Sequence, residues 1–348
     1  MADAADWNDF QLLVQMPHMA PGEKLSEVEF LKVLAAFQWE AIARALHRRP
    51  PELVNTQNER LYGSVIDVEV HLGERHSMEI LGEDVNVRVR NRVRFFAKKF
   101  VEGLFLIDDQ DIPESALAQI ETRKDLRALR GSWACMTNAF IARGGSNAKL
   151  KVFKPVGADD RDVPEIGETP LGIVEQGRVQ RSGEIDPLPG DPAAALHLPA
   201  KSDAPVFYQI VPESDLNGAG LVYFARYEAM MNYGERLFLS QRLARPFSAE
   251  LISYLSTEHR KAYFFANALP NDVVEIRVEA RVLPPGTFAD PPAGQAYRTP
   301  IKLLFRIDLY RGSDNVLMAS SLVRKALNVP GSAKGVLAEV ERFLRTLA

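Results

Sequence analysis

Apolar and polar residues alternate through several stretches of this chain. Between Leu61 and His71, Ile66, Val68 and Val70 share one face while Asp67, Glu69 and His71 share the other, the period of two expected of a strand with one buried side. Val85, Val87 and Val89 against Asn86, Arg88 and Arg90 repeat the pattern, as do Ile276, Val278, Ala280 and Val282 against Glu275, Arg277, Glu279 and Arg281. Apolar runs at 12–16, 95–107, 133–141, 149–153, 206–211, 262–269, 301–311 and 316–328 predict further strands. Two stretches carry the helical spacing instead. Val28, Leu31, Leu34, Ala35, Trp39, Ile42 and Leu46 predict one helix through residue 47, opened by Ser26 with Glu29 three residues on, a capping-box pattern, and closed by Pro50-Pro51. Val222, Ala225, Ala229, Tyr233 and Leu237 predict a second over 221–242. It is apolar most of the way round, as suits a helix wrapped by other elements. Residues 115–130 read as a charged, exposed helix, and 331–348 end in a short one.

These elements come twice in the same order: short strand, turn, long helix, strands. Pro17 and Pro212 hold matching places about 195 residues apart, a whole-domain repeat. The chain therefore divides into 1–154, a segment 155–205 rich in proline, glycine and acids with faint periodicity, and 206–348.

Composition narrows the class. A net charge of −4 over 348 residues argues against a nucleic-acid binder. Cys135 is the one cysteine, which excludes an intrachain disulfide and a zinc–cysteine cluster and fits a reducing cytoplasm. The start of the chain, with Asp3, Asp6 and Asp9, lacks a signal-peptide pattern, and no apolar run has the length of a membrane span, so a cytoplasmic protein is expected. The six histidines (His18, His47, His71, His76, His197, His259) are scattered, and His71 shares its face with Glu69, so no metal is expected. Gly218-x-Gly220 precedes a helix, but Tyr223 stands where a dinucleotide fingerprint has its third glycine. Gly144-Gly145-Ser146 lacks the flanks of a nucleophile elbow. No cofactor is expected.

The turn from Asp215 to Gly220 is the first chemical candidate. N–H groups at a helix start carry partial positive charge and can stabilise a thioester oxygen as it becomes an oxyanion or enolate. Gly218 and Gly220 lack side chains, and Gly220 would let an acyl group come close. As structural residues, Asp215 and Asn217 would be no more than turn and cap groups. Tyr62 is the second candidate. It shares parity with Ile66, Val68 and Val70, so it should face the buried side with Arg60 beside it. A phenol titrates near about 10 and needs a stabilised phenolate to act as a nucleophile, which Arg60 could supply. The structural alternative is a buried aromatic with one satisfied hydroxyl.

The run Asp215-Leu-Asn217-Gly-Ala-Gly220-Leu-Val-Tyr223-Phe-Ala-Arg-Tyr227 resembles the Asp-x-Asp-x-x-Gly-x-Val-Tyr-Phe-x-x-Tyr signature of hotdog-fold acyl-thioester enzymes. The resemblance implies an α+β fold, a double hotdog in which two curved antiparallel sheets each wrap a long helix within one chain. Asn217 stands where that signature carries a carboxylate. An amide cannot act as a general base, though it can donate a hydrogen bond to developing negative charge. Met16-Pro-His18-Met, Leu25-Ser-Glu27, Arg60-Leu-Tyr62 and the Asp215 run together resemble the leinamycin-pathway acyltransferase/decarboxylase family of polyketide biosynthesis. The resemblance covers roughly 12–328 apart from the linker. It implies Tyr62 as the acyl-carrying residue and methylmalonyl-CoA as substrate. An acyl carrier protein would take up a propionyl thioester.

On that reading His18, in the first repeat's turn, protonates the enolate carbon or positions water, unless it is simply a turn residue bonded to backbone. Asp215, Gly218, Gly220, Tyr223 and Arg60 contact substrate. Arg88, Arg90 and Arg92, alternating along one strand with Arg94 and followed by Lys98-Lys99, would steer phosphates and an acidic carrier, or else are a solvated edge kept charged against aggregation. A thioesterase and a non-catalytic carrier-binding module are the alternatives. Whether two double hotdogs associate into a homodimer stays open.

Overall fold

Ser26 opens the first long helix as its spacing predicts. Its hydroxyl accepts from the Glu29 N–H, and α1 (Glu27–Ala45) buries Phe30, Leu31, Leu34, Ala41 and Ile42. The reciprocal half of the capping box is absent. Glu29 pairs with Lys32 at 2.7 Å, and the Ser26 N–H donates to the His18 carbonyl at 2.7 Å. The structure, a computed structural model, describes residues 7–73, 77–108, 112–143, 150–157, 165–188, 195–201, 204–283 and 301–345. His76 and the Gly144–Ser146 stretch lie outside them, as does residue 149 of the strand expected at 149–153.

The first half contributes β1 (Asn8–Leu13), β2 (Leu61–His71), β3 (Asn86–Phe96), β4 (Phe100–Ile107) and β5 (Ser132–Ala142), in the sheet order β1-β3-β4-β5-β2. The second contributes β6 (Val206–Gln209), β7 (Leu255–Phe264), β8 (Val273–Leu283), β9 (Ile301–Arg311) and β10 (Val316–Leu327). These run β7-β10-β9-β8, with β6 and the two-residue strand Leu196–His197 both pairing with β8. The two orders are the same, read outward from the middle. β2 and β7 pair antiparallel from Asp67–Tyr263 to His71–His259, so these eleven strands form one sheet, with Glu69 opposite Lys261 at a pseudo-two-fold axis, and only the short pair Met19–Ala20 and Lys24–Leu25 stands apart among the described residues. One apolar core joins α1 and the second half's helix to the inner face of that sheet. Among the described residues no helix is long and apolar enough to cross a membrane.

Several elements depart from expectation. β7 starts at Leu255, seven residues before the predicted 262. Residues 115–130 form two short helices, Glu114–Leu117 and α2 (Arg123–Arg127), with Leu117, Arg123 and Leu126 buried. The segment read as a linker holds a regular helix, α3 (Leu171–Ser182). α2 and α3 cover the outer face of the sheet at its seam, so the polar side of β2 faces protein. Arg123 pairs with Asp67 and Glu102, Arg127 with Glu69 at 2.6 Å, and Glu175 accepts from Tyr263 at 2.9 Å. Glu69, the neighbour used to place His71 at the surface, is 1% exposed and bonds His259 at 3.0 Å. Burial lowers the His71 imidazole to about 3, so it stays neutral.

Candidate active site

β2 changes face part-way along. A bulge between Val65 and Asp67 shifts its register against β5, so Leu61 and Val65 join Val68 and Val70 in the core. Tyr62 and Ile66 turn to the opposite face, where they pack with Ala139, Ile141, Ala219 and Leu221. This corrects the parity argument: Tyr62 does not share the face of Val68 and Val70. It still faces protein, because the turn of the second half docks there.

Beyond the seam, the first half of β2 has no strand partner on its β7 side among the described residues, and the chain after Phe264 diverges from it. Gln176 of α3 sits at the split and donates to the Ile66 and Phe264 carbonyls at 3.2 and 2.9 Å. The gap is a cavity of about 610 Å³ that crosses the sheet. Arg60, Tyr62, Ile141, Gln176 and Asn217 line it toward the outer face, and Ala35, Trp39, Asn138, Phe224 and Tyr227 line it toward the helices. Among the described lining residues there is no carboxylate, imidazole or thiol. The Arg60 guanidinium lies 5.2 Å from the centre of the Tyr62 ring, a cation over the aromatic face.

The turn between Asp215 and Tyr223 is built differently from its prediction. Asp215 is fully buried and accepts from the Val211 N–H at 2.8 Å, Tyr208 Oη at 3.1 Å and Arg226 Nε at 2.9 Å. Burial opposes its ionisation, but the Val211 N–H, Arg226 and Tyr208 outweigh that and hold the carboxyl below its usual range. It staples strand, turn and helix together and does not line the cavity. Asn217 Oδ1 accepts from the Ala219 and Leu221 N–H groups at 2.9 and 3.2 Å, which turns its NH2 outward as a donor. The N–H groups of Asn217, Ala219, Gly220, Leu221, Val222 and Tyr223 all have acceptors within this folded turn or on Asn267, so they do not form the expected oxyanion site. Gly220 has φ +71°, which only glycine adopts easily, so its role is the turn rather than substrate access.

The helix itself begins later than predicted. α4 (Phe224–Leu237) follows Tyr223 and passes into a wide turn at Phe238–Arg242. Among the described residues no side chain caps it and the first-turn amides of Phe224 and Ala225 have no acceptor, unlike those of the Asn217–Tyr223 turn. Phe224 lines the cavity. Tyr223 also lines it, and burial together with the charge of Glu29 pushes its hydroxyl up to about 12. Burial raises Tyr227 further, so both remain neutral donors.

Other sequence candidates lie elsewhere. His18 ends a short helical turn, and its Nδ1 accepts from the Gln15 N–H at 3.0 Å, outside the cavity lining. Gly218 is likewise outside it. Arg88 pairs with Asp9, Arg90 with Glu114 at 2.7 Å, and Arg92 donates to the Ile120 carbonyl at 3.2 Å. Arg90 and Arg92 are 7% and 4% exposed, packed under the segment that follows β4, and only Arg88, paired with Asp9, stays partly exposed, so the three form no continuous free surface for phosphates.

No family model matches the sequence, and no curated protein matches it. Solved structures match nearly its whole length. An acyl-ACP thioesterase from Bacteroides thetaiotaomicron aligns with a TM-score of 0.53 at 12% identity, covering 93% of this chain and 100% of its own. A protein assigned as an oleoyl thioesterase from Lactobacillus plantarum aligns with a TM-score of 0.53 at 10% identity, covering 93% and 97%. The fold is a double hotdog. Within the double hotdog, Tyr62, Arg60, Asn217 and Tyr223 come together at one cavity, while His18, Asp215, Gly218, Gly220 and the arginine stripe do not line it. Trp39, Asn138, Gln176 and Asn267 line it without having been singled out in the sequence. Trp39 and the two asparagines sit in segments whose periodicity already explains them, and Gln176 lies in the segment read as linker.

Proposed function

We propose that this protein transfers and decarboxylates an acyl group held in the cavity between its two hotdog halves. The substrate on this reading is methylmalonyl-CoA, the acceptor an acyl carrier protein and the product a propionyl thioester. One observation carries it: Tyr62 and Asn217, from different halves, line the same cavity, whose described lining offers a nucleophilic hydroxyl and neutral donors but no base to activate water.

The steps balance. The Tyr62 oxygen bonds to the thioester carbon, the C–S bond breaks, and the CoA thiol leaves with the phenol proton. The Cα–carboxylate bond then breaks to release CO₂, its electron pair forming an enolate whose oxygen is stabilised by the Phe224 amide and the Asn217 NH2. Water returns a proton to Cα. The carrier's thiol attacks the tyrosyl ester, and the phenol oxygen recovers a proton as the thioester forms. After brief exposure to methylmalonyl-CoA, intact-protein mass spectrometry should show an acyl adduct that Tyr62→Phe abolishes. Free acid accumulating without an adduct would favour a thioesterase instead. Carrier binding without turnover of any thioester would favour a binding module.

A further inference from the structure

At the inner end of the cavity a chain of amides points one donor at whatever occupies it. Gln38 of α1 is 1% exposed, and its Nε2 donates to the Met136 carbonyl at 3.2 Å, which fixes which end of its amide faces β5. The same Nε2 donates to Asn138 Oδ1. Asn138 is 6% exposed and lines the cavity. With its oxygen held by Gln38, its NH2 is the end left over, and among the described residues that NH2 has no acceptor. Gly63 keeps the space beside it clear: a Cβ there would lie 3.3 Å from Asn138 Nδ2 and 2.8 Å from the Trp39 ring.

Where it opens on the cavity this NH2 can meet water, and a ligand that displaces the water must supply an acceptor or leave the donor unmet. The surrounding wall of Ala35, Ala36, Trp39 and Val65 is apolar, so a plain alkyl chain would bury this NH2 unmet. We infer that Asn138, oriented by Gln38, selects acyl groups that carry a hydrogen-bond acceptor, a carboxylate above all, over alkyl acyl groups of the same size. The inference rests on the proposed binding of a thioester in this cavity. Asn138 would touch the acyl group, and Gln38 is a positioning residue. Where a site is built to pair a polar group, discrimination against the analogue that lacks it is large, because the unpaired partner is left buried.

The test compares the binding of methylmalonyl-CoA and isobutyryl-CoA, which differ by a carboxylate against a methyl group, to Tyr62→Phe protein, which cannot form the adduct. The Tyr62→Phe background should prefer methylmalonyl-CoA by about tenfold or more. Asn138→Ala should remove that preference while leaving isobutyryl-CoA affinity unchanged or improved. Asn138→Asp, which keeps the acceptor for Gln38 and replaces the NH2, should reverse it by charge repulsion. Gln38→Leu should weaken the preference without abolishing binding. A preference that survives both Asn138 variants, or an equal loss of both ligands, overturns the inference while leaving the proposed chemistry standing. Selection through Asn138 with no CO₂ release by the parent protein keeps the inference and sinks that chemistry. If neither thioester binds, both fail.

Discussion

The two ends of the pseudo-two-fold axis have the same backbone and opposite contents. Just before matching bulges, Val65 faces Asn138 in one half and Thr257 faces Lys325 in the other. Asn138 is paired with Gln38 of α1, whereas Lys325 is paired with Glu235 of α4 at 2.8 Å. Around the neutral amides lies the cavity. Around the ions, side chains pair with one another: Arg260 bonds Glu27 at 2.6 Å and Glu228 at 2.8 Å, and Lys24 donates to the Ser253 and Leu255 carbonyls. Charges taken out of water must be surrounded by partners, so they draw side chains together, while amides with one satisfied end can border a cavity. A duplicated fold thus becomes one site and one buttress.

Each end of the axis can be perturbed separately. The largest expected effect is on the ion-paired side, where Arg260→Leu leaves Glu27 and Glu228 buried without their cation. It should cost about 3–5 kcal/mol, read as a lower denaturation midpoint with unchanged slope. At the open end, Asn217→Ala removes a donor to the enolate oxygen, and kcat should fall about 10²- to 10³-fold, with some loss of stability because the Ala219 and Leu221 N–H groups lose their acceptor. If KM rises instead at constant kcat, Asn217 only binds the ground state.

A smaller effect is in pH. Burial raises the Glu228 carboxyl to about 7, only partly offset by Arg260, whereas Arg260 outweighs burial at Glu27 and lowers it to about 2. Folded Glu228 keeps its proton where the unfolded side chain, near 4.5, has lost it. Its stabilisation is therefore complete below about 4.5 and lost as pH rises through about 7, with a slope of at most about 1.4 kcal/mol per pH unit. Glu228→Gln should flatten the melting temperature across that window, and an unchanged slope would mean that another group titrates. The smallest effect belongs far from either end. Arg88→Ala breaks a pair with Asp9 at the surface and should change stability by about 0.2–1 kcal/mol and thioester turnover not at all.

Much of the scaffold could be read from residue pattern, because side-chain period and capping chemistry act over a few residues. Ser26, the spacing of α1 and the alternation in β8 need only neighbours. Order repeated around Pro17 and Pro212 carried the duplication. The candidate site was partly legible: Tyr62, Arg60, Asn217 and Tyr223 line the cavity, although Tyr62 reaches it on the face its parity excluded. A bulge adds a residue without changing composition, so period-two counting cannot detect it. Nor could the sequence distinguish Asp215 as a buried staple, since an aspartate before a helix looks the same whether it meets Arg226 or substrate. The arginines at 90 and 92 looked like a free surface because the segment that buries them follows later in the chain, while Arg88 stays at the surface paired with Asp9.

By itself, then, the sequence determined the two long helices and most of the strands, that the unit occurs twice, and which residue types are available for chemistry. Those properties follow from local sterics and from hydrophobic spacing. Only the tertiary structure decided that one position between the halves opens as a cavity and its counterpart holds paired ions, and that Gln38 turns the Asn138 donor inward. Hydrogen-bond direction and the balance between desolvation and charge pairing depend on atoms brought together from distant parts of the chain.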